Sequence, residues 1–309
     1  MIRSSNWIVE KPMMNEIKKA PGLLAGLVAI LFFSCFKPEK AFQPADNSVY
    51  DLAYAQGIPG EEFLKLDAHF PNQAKNLPVI VYIHGGGWTE SDKKDMDVWC
   101  QRMSRRGYVV FNVNYRLAPE FPFPAAVNDC LGAMAWIQEH AKNFGGDPSR
   151  IGITGGSAGG HLIAMVASAW KDKYFQPTGS EGKDFSLSIQ AQAPFFGVFD
   201  FHHLGAMALT NIPKKFLGGS EKQVPENYCR ASPVSYVSKD TPPTLIVVGR
   251  LDPIYHQSKI YYDALKKAGV PVEMIVYPAQ THGFDIQFKR KASIDAFEKM
   301  MSFFDRYLK

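Results

Sequence analysis

Arg150-Ile151-Gly152-Ile153-Thr154-Gly155-Gly156-Ser157-Ala158-Gly159-Gly160-His161-Leu162-Ile163-Ala164-Met165 joins two periodicities at a serine. Residues 150–154 read as a short strand, and residues 158–170, rich in Ala, Leu and Met, read as a helix. Between them stands Gly155-x-Ser157-x-Gly159. A serine that projects from a sharp strand-to-helix turn needs neighbours without side chains, because the two backbones approach closely there. Ser157 then stands at the helix N-terminus, whose partial positive charge favours a developing alkoxide. The pentapeptide alone is a common glycine-rich turn. Its placement after a strand and before a helix makes Ser157 a candidate nucleophile.

The flanking sequence supplies the scaffold. Val79-Ile80-Val81-Tyr82-Ile83 is a continuous β-rich run suited to a central strand buried on both faces. Residues 108–113, 188–193, 245–248 and 272–277 read as further strands. Val127, Cys130, Leu131, Met134 and Ile137 recur at helical spacing, as do Phe297, Met300, Met301 and Phe304 within a closing helix over 293–308. Another helix is expected over 258–268. Residues 200–235 are irregular and punctuated by Pro and Gly, and are expected to form a small lid. Strand and helix alternate from about Val49 onward, which predicts an α/β fold with a mostly parallel sheet covered on both faces. With 309 residues, 46% hydrophobic and 21% charged, the chain can bury one large core. A net charge of +4 without a sustained run of Lys and Arg leaves no nucleic-acid footprint.

Two further glycine-bounded turns complete a chemistry. His84-Gly85-Gly86-Gly87-Trp88 follows the strongest strand, and its glycines let backbone amides face inward as oxyanion donors, with the Ala158 amide as a third. His84 reads as a strut for this turn. Asp252, in Gly249-Arg250-Leu251-Asp252-Pro253, and His282, in Gln280-Thr281-His282-Gly283-Phe284, each follow a strand. All three turns therefore fall on the carboxyl edge of the sheet, where sites form in open parallel sheets. His282 would take the Ser157 proton and Asp252 would orient His282. His161 reads as a packed helix residue, His256 as a cap or solvent-facing group, and Asp240 and Asp263 as solvated. His202 and His203 are candidate substrate contacts, and Asp200 is a rival acid. Trp88 is a candidate substrate-binding residue, while Phe195, Phe196, Phe199 and Phe284 belong either to an acyl pocket or to the core. Three cysteines, Cys100, Cys130 and Cys229, lie beyond the N-terminal segment without zinc-like spacing, so no metal is expected.

The N-terminal segment differs in kind. Lys18 and Lys19 precede an apolar run from Leu23 to Phe33, about the length of an export-signal core and short of the ~20 residues that span a bilayer. Met13 and Met14 are alternative starts to Met1. Ser34-Cys35 ends the run and resembles a bacterial lipoprotein signal, with Phe32 where Leu is usual, so Cys35 is expected to be lipidated. The expected organisation is an export signal over 1–35, a polar tether over 36–48 and a catalytic domain over 49–309. The location is then the periplasm or a bacterial membrane surface, with membrane contact only through the anchor.

Taken jointly, His84-Gly85-Gly86-Gly87-Trp88, Gly155-Gly156-Ser157-Ala158-Gly159-Gly160, Gly249-x-x-Asp252 and His282-Gly283-Phe284 resemble the esterase/lipase branch of α/β-hydrolases. More narrowly they resemble bacterial carboxylesterases and acetyl-xylan and feruloyl esterases. Tyr115-Arg116-Leu117-Ala118-Pro119, Phe123-Pro124-Ala125-Ala126 and Ser232-Pro233 fit the same group. The resemblance implies an eight-stranded sheet, no cofactor, a short-chain acyl ester substrate, and oxyanion amides from Gly86, Gly87 and Ala158. Two alternatives stand beside it: an arylformamidase or peptidase on the same fold, and a non-catalytic binding protein on a hydrolase scaffold.

Overall fold

The computed structural model describes residues 47–180 and 186–309. The expected export signal, with Cys35, lies outside the described residues. Eight strands form one sheet: β1 (Asn47–Ala53), β2 (Lys65–Phe70), β3 (Leu77–Ile83), β4 (Val109–Val113), β5 (Gly146–Gly156), β6 (Ala191–Phe195), β7 (Thr244–Gly249) and β8 (Val272–Tyr277). Their order is β1-β2-β4-β3-β5-β6-β7-β8. The β1–β2 and β2–β4 pairings are antiparallel, and every pairing from β4 to β8 is parallel. The helices are α1 (Asp97–Arg105), α2 (Ala125–His140), α3 (Ala158–Ala169), α4 (Ile212–Leu217), α5 (Pro225–Arg230), α6 (Tyr255–Lys267) and α7 (Lys291–Leu308).

The two-residue period of a strand sorts the core into layers. Val79, Val81 and Ile83 of β3 pack on the face covered by Val127, Leu131 and Met134 of α2 and Leu162 and Val166 of α3. Ile80 and Tyr82 turn to the other face, against Trp99, Cys100 and Met103 of α1 and Met300 and Phe304 of α7. Burial on both faces is why β3 reads as an unbroken apolar run. Cys100 and Cys130 are buried and unpaired, as small hydrophobes would be. Gly152 admits α7: a methyl group there would lie 2.7 Å from the Phe304 ring.

Three expectations shift. Asn47 and Ser48, assigned to the tether, pair with Phe70 and His69 in the edge of the sheet. The strand expected over 188–193 is β6, three residues later, and the helix expected over 258–268 starts at Tyr255. The stretch 200–235 is a cover with anchors. Ala206, Met207, Thr210 and Ile212 line a cleft, but Phe216, Leu217, Tyr228 and Ala231 are buried in the same cluster as β3. The segment is therefore a largely exposed cover of short helices, pinned to the core by these buried side chains.

Candidate active site

Strand order sets the site. β3 and β5 are neighbours at the centre of the sheet, so the turn after β3 lies beside the turn after β5. Asp252 follows β7 and His282 follows β8. All four turns leave the carboxyl edge of parallel strands and border one cleft of about 760 Å³, whose walls include Gly85, Gly86, Gly87, Ser157, Asp252 and His282.

Ser157 holds φ 57 and ψ −118, a conformation that L-residues avoid and that tertiary packing must impose. Its amide donates to Phe195 O at 2.9 Å, and its carbonyl accepts from the His161 amide at 3.0 Å, which pins the turn between β6 and α3. The crossing has no room for side chains: a methyl group at Gly159 would lie 2.1 Å from Ile83 O.

The three side chains expected to act together are in hydrogen-bonded series. Ser157 Oγ lies 2.8 Å from His282 Nε2, and His282 Nδ1 lies 2.8 Å from Asp252 Oδ2. With Nδ1–H donating to the carboxylate, Nε2 is left to accept the serine proton. The Asp252 side chain is fully buried, and its other oxygen, Oδ1, accepts from the Ile254 amide at 2.8 Å. His282 keeps 36% of its side chain exposed, so the imidazole faces both the serine and the cleft. Phe196 packs edge-on against the imidazole, with the ring centroids 4.9 Å apart.

The glycine turn is held from behind. His84 Nδ1–H donates to Gly85 O at 2.9 Å, the Tyr115 hydroxyl donates to the same oxygen at 2.9 Å, and the two rings stack at 4.4 Å. Burial lowers the His84 pKa to about 4, so the ring is neutral, as a strut should be. Gly86 and Gly87 take φ of 90 and 58, which glycine adopts without strain. Among the described residues, the amides of Gly86, Gly87 and Ala158 have no acceptor. Unpaired donors grouped beside a serine are what a transient oxyanion requires.

Trp88 is a correction. It is fully buried, stacks on Phe216 at 4.3 Å and donates from Nε1 to His161 Nδ1 at 3.0 Å. A side chain with no exposed surface cannot bind substrate. Trp88 and His161 instead tie the turn to α3 and, through His161 Nε2–H donating to Ala231 O at 2.8 Å, to the segment after α5. Asp200 lies outside the hydrogen-bonded series: its Oδ2 meets His203 Nδ1 at 2.7 Å. His202 pairs with Glu221 at 2.6 Å, and His256 meets His203 O at 2.7 Å. None of these histidines borders the cleft. Asp240 and Asp263 form exposed ion pairs with Lys171 and Lys259. Of the four phenylalanines, Phe196 lines the cleft, whereas Phe195, Phe199 and Phe284 are packed in the core.

The sequence reading passed over Asp285. It is buried, borders the same cleft and has its pKa raised to about 6 by burial. An acid between Phe284 and Ile286, three residues after His282, was the available signal.

Comparison with known proteins agrees with this geometry. A family model described as BD-FAE matches residues 66–265. Probable carboxylic ester hydrolase LipM of Mycobacterium tuberculosis is 34% identical over 224 residues, which are 70% of this chain and 51% of LipM. Esterase LipQ of the same organism is 33% identical over 76% of this chain and 57% of its own length. The chain thus spans a little over half the length of these two relatives. A truncated carbohydrate esterase from gut microbiota superposes with a TM-score of 0.74 at 27% identity, covering 85% of this chain and 97% of that one. The chain belongs to the BD-FAE family and has the α/β-hydrolase fold.

Proposed function

We propose that the protein hydrolyses carboxylic esters of short acyl chain through an acyl-enzyme on Ser157. The observation that carries this is the continuous relay from Ser157 Oγ through His282 to buried Asp252, at 2.8 Å in each link. His282 Nε2 takes the hydroxyl proton as Ser157 attacks the ester carbonyl, and Asp252 stabilises the resulting imidazolium. The amides of Gly86, Gly87 and Ala158 receive the oxyanion. Collapse of the tetrahedral species expels the alcohol, protonated by His282. Water then enters, gives a proton to His282 and attacks the acyl carbonyl; collapse breaks the bond to Ser157 Oγ, which takes the proton back from His282 as the acid leaves.

The intact relay also favours an enzyme over a binding protein on the same scaffold. The likeness to a carbohydrate esterase supports an alcohol that is a sugar hydroxyl. Export as a lipoprotein anchored at Cys35 fits that substrate class; mass spectrometry of the mature N-terminus tests it, an unmodified chain refuting lipidation. For the reaction, a hydrolysis screen over acetylated sugars, feruloyl esters and N-formylkynurenine is expected to show turnover of acetyl or feruloyl esters that Ser157→Ala abolishes. Preference for the formamide would instead favour the formamidase reading.

A further inference from the structure

The proposed cycle leaves one buried group in the cleft unused. Asp285, three residues after His282, is 5% exposed and forms part of the cleft wall. Its Oδ1 accepts from the Ile286 amide at 2.9 Å and its carboxylate also interacts with its own amide, while no side chain among the described residues donates to Oδ2. A methyl group at Gly156 would lie 2.9 Å from Oδ2, so this oxygen rests against the residue that precedes Ser157. No Lys or Arg borders the cleft to neutralise it. The titratable groups facing it are Tyr82 of β3, itself a hydrogen-bond donor, and His282; Glu90 and Asp95 add acid elsewhere in the same wall.

An acceptor oxygen that opens to the cleft must take its donor from whatever fills the cleft, water in the free protein and substrate once water is displaced. A site built this way also rejects the analogue that lacks the donor, because its own polar group is then left unpaired. We infer that Asp285 Oδ2 accepts a hydrogen bond from a hydroxyl group of the substrate, so that the cleft selects esters bearing a free hydroxyl near the scissile bond over their deoxy analogues. This rests on ester hydrolysis at Ser157 as proposed above. Burial holds the Asp285 pKa at about 6, so the acceptor is ionised at neutral pH and loses its charge in mild acid.

The test is a ratio of kcat/KM within matched pairs, which a merely structural role would not move. One pair varies the acyl group (methyl 4-hydroxycinnamate against methyl cinnamate). The other varies the alcohol (a monoacetylated methyl xyloside against cyclohexyl acetate). In at least one pair the wild type should prefer the hydroxylated ester by about 10–100-fold, as for a charge-assisted hydrogen bond. Asp285→Leu should collapse that preference to within about twofold, Asp285→Asn should narrow it, and in the wild type it should shrink between pH 7.5 and pH 5. The wild-type pH series needs no variant to fold. Equal losses on both members of each pair, or a wild type indifferent to the hydroxyl in both pairs, would overturn the inference while leaving ester hydrolysis standing. Failure to turn over any ester would overturn the hydrolase reading itself.

Discussion

Substituting Gly86 by Ala should separate the electrostatics of the glycine turn from its bulk. The added methyl group would lie 2.0 Å from Glu90 O and 2.7 Å from Ser91 Cβ, on a residue with φ of +90. Carbon and carbonyl oxygen rest at about 3.3–3.6 Å, so the turn must open by more than ~1 Å. Backbone atoms, not a flexible side chain, have to yield. A displacement of that size can cost about 10²-fold, and loss of one oxyanion donor costs roughly 10²–10³ in kcat, about 2.7–4 kcal/mol. KM should change little, because the ground-state carbonyl needs the amide less than the oxyanion does. Gly87→Ala is the internal control. Its methyl would meet only Ile212 Cγ2 at 3.1 Å, a side chain that can move, at φ +58. Its loss in kcat should be smaller by about an order of magnitude. Steady-state kcat and KM on one acetyl ester, with melting temperatures for all three proteins, decide the matter. A rise in KM with kcat intact would show that the turn binds substrate without stabilising charge.

Other perturbations follow from named contacts. Asp252→Asn should lower kcat by about 10⁴, in line with the acid-to-amide change in the protease triad, while Asp200→Asn leaves kcat nearly unchanged; the reverse result would move the acid. Trp88→Phe keeps an aromatic ring but shrinks it and leaves His161 Nδ1 without its donor, so it should cost at least about 1–3 kcal/mol in denaturant unfolding with KM unaltered, and a tenfold rise in KM would contradict the burial of Trp88. Burial holds both His84 and His161 at a pKa of about 4, below the value of an unfolded histidine, so the unfolded chain takes up protons first. Stability should therefore fall as pH drops from about 6.5 to about 4. Asp285, raised to about 6, acts in the opposite sense and offsets part of that loss. A melting temperature that is flat over this range would refute the neutral-strut assignment.

The site was legible where a residue's placement follows from backbone periodicity. Ser157, Asp252 and His282 each stand just after a recognisable strand, and a parallel sheet carries all such turns to one edge. Where placement depends on packing between distant segments, the sequence was ambiguous. Trp88 adjoins the oxyanion turn in sequence, yet its fate is set by His161 and Phe216, 73 and 128 residues away. The same holds for 200–235: Pro and Gly mark it as irregular, but only tertiary contact shows that Phe216 and Tyr228 are buried. The short antiparallel strands β1 and β2 left no distinct pattern: a register shift between Val49 and Leu52 breaks the two-residue alternation of β1, leaving Val49, Tyr50 and Asp51 exposed in succession. Asp285 was hidden by its neighbours, in a turn whose histidine drew the reading.

The central claim is that Ser157 becomes acylated. A serine-directed phosphonate, followed by intact mass and peptide mapping, tests it most directly. The relay of Ser157, His282 and Asp252 predicts one adduct per chain, located on Ser157, with loss of ester hydrolysis in step with labelling and no adduct in Ser157→Ala. An adduct on another residue, or full labelling of Ser157 with turnover undiminished, would contradict it.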